Sequence, residues 1–219
     1  MEGHDAMTAL PDDGRLVAHP PPRRVRLFAL PPTSSDYTVE DWLKLPETGE
    51  RIELIDGSFV VSPMPAYAHA LCAGRLRQIL VEAAPEAFEV VETGNLKVGE
   101  DGLITDIVVG RAETMLTDAT MLAAADTVCV VEVVSPGKGS RRRDYEVKPP
   151  KYAAAGIPVF IRVELQGDDA PRVEVFNLSS QGYELVAEGK AGNVLSLDQP
   201  FPVSFDPAVL TGPRSTAQN

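Results

Sequence analysis

The chain is poor in positive charge and in cysteine, and it lacks any long apolar run. Twenty Lys and Arg stand against 32 Asp and Glu in 219 residues, a formal charge of −12 with a pI near 4.7. That balance excludes tight, indiscriminate binding to nucleic acid unless a local basic patch outweighs the total, because phosphate contacts require positive charge. The two cysteines, Cys72 and Cys129, fall on a predicted helix and a predicted buried strand, so they read as small reduced core residues and exclude a disulfide framework. No apolar run reaches the roughly 18 residues of a membrane span, and the acidic start MEGHD has no signal-peptide character. The expected setting is the cytoplasm, away from any membrane.

What is present is the composition of a globular protein, 44% hydrophobic and 24% charged, long enough to bury a full core. Residues 1–35 carry Pro11, Pro20, Pro21, Pro22, Pro31 and Pro32 with little periodicity, and read as a disordered or extended arm. The folded domain is expected over 36–210, with a loose tail over 211–219.

The most informative stretch begins TVCVVEVVSP at Thr127. Glu132 is a lone carboxylate in a run whose two faces both look buried, as in a central strand. An unpaired ion there would cost several kcal/mol, so the carboxylate binds a divalent cation, meets a buried partner, or lies where the strand runs out to solvent. The strand LITDIVV, over 103–109, repeats the anomaly with Asp106. Side by side, the two acids would raise each other's pKa unless a cation held both ionised.

Around these strands the chain reads as mixed α and β. Thr38 and Asp41 give a helix-start signal before Trp42, an expected core residue. RIELIDGSFVVS gives two short strands turning at Asp56-Gly57. Glu53 there is, by itself, more typical of a solvated strand residue. A helix is expected over 66–84 with an inward stripe of Cys72, Leu76, Ile79 and Ala83, and with His69 leaning to the same side. Further strands follow from Phe88, with a turn at Asp101-Gly102. Beyond Glu132 comes a basic run, Lys138, Arg141, Arg142 and Arg143. Asp144, Lys148 and Tyr152 then recur every four residues and would share one helical face, at the least as an ordinary ion pair. Pro149-Pro150 directly after Lys148 would push that lysine away from helical geometry. This helix and the strand at 159–163 form a crossover, and 172–177, 183–188 and 194–197 read as a β meander at the sheet's edge.

The order ELIDG, a histidine after a proline-containing loop, DIVV, VEVVSP and D-x-x-x-K-x-x-x-Y-A-x-A-G-I-P resembles the Uma-two family of endonucleases, assigned to the PD-(D/E)XK superfamily. The resemblance spans about Tyr37 to Phe205. It implies a restriction-endonuclease-like α/β (α+β) core, a mixed sheet flanked by helices, with extra antiparallel strands at the C-terminal end. It also implies a metal-dependent endonuclease acting on nucleic acid, DNA being the expected substrate, with Mg²⁺ or Mn²⁺ held by Asp106 and Glu132. The lysine of the (D/E)XK element should lie two residues after Glu132, where Val134 stands, so the resemblance shifts that role to Lys148 on the following helix. Lys138 or Lys151 would be substitutes if the prolines misplace it. Glu53 and His69 match the family's auxiliary positions, and Asp144 and Tyr152 its supporting ones. Lys138, Arg141, Arg142, Arg143 and Lys151 would meet backbone phosphates. The alternative is an inactive nuclease-fold module that binds nucleic acid or protein. A homodimer is a further expectation, since this superfamily often dimerises.

Overall fold

The computed structural model describes residues 36–46 and 49–213, together with two short strands, Thr8–Ala9 and Leu16–Val17, paired antiparallel. The expected arm at 1–35, those strands apart, and the tail beyond 213 lie outside the described residues.

A short helix, α1 (Val39–Leu43), begins where Thr38 and Asp41 cap each other's backbone amides. It sets Trp42 into the fold, with the indole Nε1 donating to the Ile52 carbonyl at 2.7 Å. Strands β1 (Arg51–Ile55) and β2 (Ser58–Ser62) form the expected hairpin, turning on Asp56 and Gly57 at φ 48° and 71°. Helix α2 (Tyr67–Ala83) follows and buries His69, Cys72, Ala73, Leu76 and Leu80. The expected Ile79 and Ala83 are half-buried and pack against the same core, which Leu80 enters fully.

Strands β3 (Phe88–Val98) and β4 (Asp101–Arg111) pair from end to end except at Thr93, φ 60°, and Asp106. Their turn is at Gly99, φ 59°, and Glu100. Asp101-Gly102, expected as the turn, instead lies inside β4, paired with Val98 and Lys97. The glycine is needed there for packing: a Cβ on Gly102 would stand 2.2 Å from the Trp42 ring. A short strand, β5 (Leu122–Ala123), precedes β6 (Thr127–Val134), whose two faces are buried as predicted. Cys129, Val131 and Val133 enter the core under α2, while Val130 packs with Tyr152, Ile157 and Phe160 on the opposite side.

The crossover runs through α3 (Lys138–Arg142), one π turn (Arg143–Val147) and α4 (Lys148–Ala154) to β7 (Val159–Glu164), which is parallel to β6. Antiparallel strands β8 (Arg172–Ser179) and β9 (Gly182–Lys190) extend the sheet's edge. The last predicted strand departs from expectation. β10 (Leu195–Leu197) pairs only with β11 (Val203–Phe205) as a separate ribbon and covers the core beside α2. Among the described residues the main sheet reads β9-β8-β7-β6-β4-β1-β2, with β3 on β4 and β5 on β3. It is a mixed, mostly antiparallel sheet flanked by helices, the predicted α/β class.

Candidate active site

One edge of β4 has two neighbours that diverge. β6 pairs with it over Ile107–Gly110, and β1 meets it only where Leu54 faces Gly102. Backbone groups in the fork between them are buried and still need partners. Side chains supply these. Glu53 Oε1 accepts from the Ile104 amide at 2.9 Å, and Arg51 Nη2 donates to the Ile104 carbonyl at 2.8 Å. Lys148 Nζ reaches the same carbonyl at 3.0 Å, and the Val133 amide donates to Asp106 Oδ2 at 2.8 Å. Charged residues are buried here because the sheet splits here.

The register that sets Ile107 opposite Val131, carried one step further, places Asp106 opposite Glu132. The two acids are therefore neighbours, as the meander predicted. Lys148 Nζ donates to Glu132 Oε1 at 3.0 Å as well as to the Ile104 carbonyl, and it forms an ion pair with Glu53 Oε1 at 2.8 Å. Tyr152 donates its hydroxyl to the same Glu132 oxygen. Asp106 is held by Arg51 at 2.8 Å and by His69 Nε2 at 3.1 Å. Glu53 and Glu132 are each only 1% exposed. Glu53 is thus a buried member of the cluster, which corrects its reading as a solvated strand residue: its amide partner lies in the fork.

The two prolines do not misplace Lys148. Its backbone is helical, φ −73° and ψ −44°, and its amide bonds back to the Arg143 carbonyl, five residues earlier. The inserted π turn rotates the chain by about 100°, and the prolines then occupy the first turn of α4, where an amide donor is not required. The break expected from Pro149-Pro150 exists, and it aims the ammonium into the fork. A polar cluster clamps this turn. Tyr145 donates to Glu164 at 2.9 Å, Arg141 pairs with Glu164 at 2.7 Å, and the Arg162 guanidinium stacks 3.9 Å over the Tyr145 ring.

Electrostatics follow from these contacts. Burial opposes ionisation of Asp106, but the His69 hydrogen bond and the Arg51 charge outweigh it and hold its pKa down to about 2. Burial likewise opposes protonation of His69, and Asp106 reverses the balance, raising that pKa. Burial pushes Glu132 above the ordinary carboxylate range, with Lys148 pulling it part of the way back. Burial pushes Asp144 up in the same way. Lys148 is raised, because Glu132 and Glu53 outweigh its desolvation. Its three short contacts keep the proton on the lysine.

The cluster opens into a cleft of about 260 Å³ whose walls include Met64, His69, Asp106, Glu132, Arg143 and Lys148. Of the residues expected to meet phosphate, Arg143 lines this cleft, donating to Ser62 and Ser140 at 3.0 and 3.2 Å. Lys138 and Arg142 are exposed on α3 and do not line it, Arg142 carrying a loose 3.6 Å pair with Glu146. Arg141 is committed to Glu164. Lys151 is not at the cleft: it pairs with Asp56 and Asp101, at 2.6 Å each, around a separate depression.

Sequence reasoning missed Arg51. Its signal was available, since Arg51 and Glu53 lie two apart on one strand and must share a face. Asp106, Glu132, Glu53 and Asp144 are hard oxygen donors, whose chemistry suits Mg²⁺ or Mn²⁺, and His69 Nδ1 is buried without a hydrogen-bond partner. Among the described residues no three such side chains stand in a ready coordination cluster. Asp106, Glu132 and Glu53 are each turned to a cation of the protein itself.

Comparison with known proteins bears on the family and the fold. The family model Uma2, putative restriction endonuclease, matches residues 39–211. A solved structure described as a putative nuclease belonging to DUF820, from Anabaena variabilis ATCC 29413, is similar with a TM-score of 0.55 and 19% identity. The likeness covers 68% of this chain and 83% of that one and speaks to the fold. Comparison with curated proteins returns no match. No helix among the described residues is long and apolar enough to cross a membrane.

Proposed function

Because the chain belongs to the Uma2 family of putative restriction endonucleases, we propose that it hydrolyses phosphodiester bonds of nucleic acid, DNA foremost, with Mg²⁺ or Mn²⁺. The observation that carries this reading is the convergence of Asp106, Glu132 and Lys148 in one fork of the sheet, open to a cleft. Asp106 and Glu132 would hold the cation, which when bound supplies positive charge to the phosphate and makes water a better nucleophile.

The remaining work falls to the protein's own groups. Lys148, whose ammonium stands between Glu132 and Glu53, would orient the attacking water and offset negative charge growing on the phosphate. Glu53 keeps the lysine aimed while this happens. Arg143, seated on Ser62 and Ser140, faces a non-bridging phosphate oxygen, and Lys138 and Arg142 hold flanking phosphates at the rim. His69 keeps Asp106 ionised and oriented. Since the whole chain carries −12, this basic rim gives weak binding that falls steeply with salt.

The test is a nicking assay on supercoiled plasmid at low salt, with Mg²⁺, Mn²⁺ or EDTA, comparing the protein with Glu132→Ala and Lys148→Ala. Cleavage that needs the cation and disappears in both variants is the expected result. Cleavage that persists in Glu132→Ala places the activity elsewhere. Absence of cleavage in a protein that still binds Mn²⁺ favours the inactive binding module.

A further inference from the structure

Each of the three deepest acids in the fork is neutralised by a basic side chain that also lines the cleft. Lys148 serves Glu132 and Glu53, and Arg51 serves Asp106. The two basic groups differ in what they have left to give. Lys148 is 3% exposed at its side chain and is surrounded by Glu132, Glu53 and the Ile104 carbonyl. Arg51 is 16% exposed and donates to Asp106 Oδ1 and to the Ile104 carbonyl, at 2.8 Å each. Among the described residues that leaves three of its five N–H groups for a ligand in the cleft. Nor is its reach to Asp106 fixed by strand pairing. Arg51 stands at the end of β1 that pairs with β2, whereas β1 meets β4 only where Leu54 faces Gly102.

The two oxygens of Asp106 are held differently. Oδ2 has the His69 Nε2 at 3.1 Å and the Val133 amide at 2.8 Å, and both belong to the core side of the fork. Oδ1 is held by Arg51. Removing the guanidinium would therefore free one oxygen of a carboxylate that stays ionised and oriented by its other contacts.

Resting on the nuclease reading, we propose that Arg51 is an exchangeable counter-ion that makes cation uptake depend on phosphate. A phosphate in the cleft draws the guanidinium from Asp106, and Oδ1 becomes available to Mg²⁺ or Mn²⁺. The planar guanidinium suits a phosphate as well as a carboxylate, so the exchange gives up no pairing geometry. A divalent cation arriving at Asp106 with Arg51 still in place meets a like charge at contact distance, and the same cation with Arg51 on a phosphate does not. Cation and phosphate must then tighten each other's binding by one common factor. The centre takes up its cation when the substrate arrives.

The test is calorimetric titration of Mn²⁺ into the protein with and without thymidine 3′,5′-bisphosphate, which carries phosphate but no diester to cleave, after subtraction of Mn²⁺ complexation by the bisphosphate in buffer. The bisphosphate should tighten Mn²⁺ binding about thirtyfold in the parent protein and about threefold in Arg51→Gln, where direct contact between cation and phosphate is all that remains. Arg51→Lys restores an exchangeable charge and should recover most of the difference. Equal tightening in the parent and Arg51→Gln overturns the proposal, since contact between cation and phosphate would then explain it all. So does a parent protein whose Mn²⁺ affinity ignores the bisphosphate, or that binds no Mn²⁺ in its presence, results that need no variant. The expected coupling in a protein that cleaves no diester would support this inference while refuting the nuclease reading, and cleavage with equal coupling would do the reverse.

Discussion

Lys148→Met removes one charge and keeps the aliphatic stem, and the structure fixes what that should cost. The ammonium is the shared partner of Glu53 and Glu132, both 1% exposed, at 2.8 and 3.0 Å. Without it two buried carboxylates face each other, and the cheaper response is to protonate one. Against a reference pKa of about 4.3, holding a carboxylate protonated at pH 7 costs about 3.7 kcal/mol. A loss of about 3–4 kcal/mol is therefore expected in urea unfolding followed by Trp42 fluorescence at pH 7. The sign with pH is defined. A carboxylate whose folded pKa lies above its unfolded one destabilises the fold above the unfolded pKa, and the penalty disappears as pH falls toward that value. The gap between the variant and the parent protein should shrink by about 1.4 kcal/mol per pH unit, to about 1 kcal/mol at pH 5. A gap under 1 kcal/mol at pH 7, or one that does not change with pH, would refute the claim that Lys148 neutralises this pair.

Arg51→Gln removes the guanidinium that competes for Asp106, so Mn²⁺ affinity measured by calorimetry should rise at least about tenfold. That is well within the roughly 4 kcal/mol that two charges about 4 Å apart exchange at an effective dielectric constant near 20. Because burial raises Glu132 and Asp144 above the usual carboxylate range, Mn²⁺ binding below that raised range should release protons, and its measured enthalpy should vary with the buffer's ionisation enthalpy. An enthalpy independent of buffer would contradict it. Gly102→Ala drives a methyl group into the Trp42 ring and should cost about 1–3 kcal/mol in thermal or urea unfolding, with the site's chemistry left intact.

The strands carrying Asp106 and Glu132 were legible in the sequence because a charge in a doubly buried run is physically conspicuous. The Asp56-Gly57 hairpin was legible because its residues suit the turn's backbone. Glu53 was not, since its burial depends on a fork between β1 and β6, along one edge of β4, that involves pairing of strands distant in the chain. Nor was the outcome at Pro149-Pro150: the local rule foresaw a break, but only the packing of Tyr145 against Arg162 and Glu164 shows which way the broken helix turns. Asp101-Gly102 misled for a similar reason. A glycine can serve a turn or a close approach, and the ring that needed this one lies 60 residues earlier in the chain. Arg141 and Lys151 looked like phosphate contacts because sequence shows charge without showing its partner.

The most direct measurement is the single-turnover rate of cleavage of an end-labelled oligonucleotide in Mn²⁺, for the protein and for Glu132→Gln. The glutamine keeps the shape of the side chain and an acceptor for Tyr152 and Lys148, while losing the charge that holds a cation. The account predicts a loss of at least about a hundredfold, equivalent to about 2.7 kcal/mol of transition-state stabilisation, in a variant that remains folded. A folded Glu132→Gln protein that cleaves at the parent rate would contradict the assignment of this fork as the hydrolytic centre.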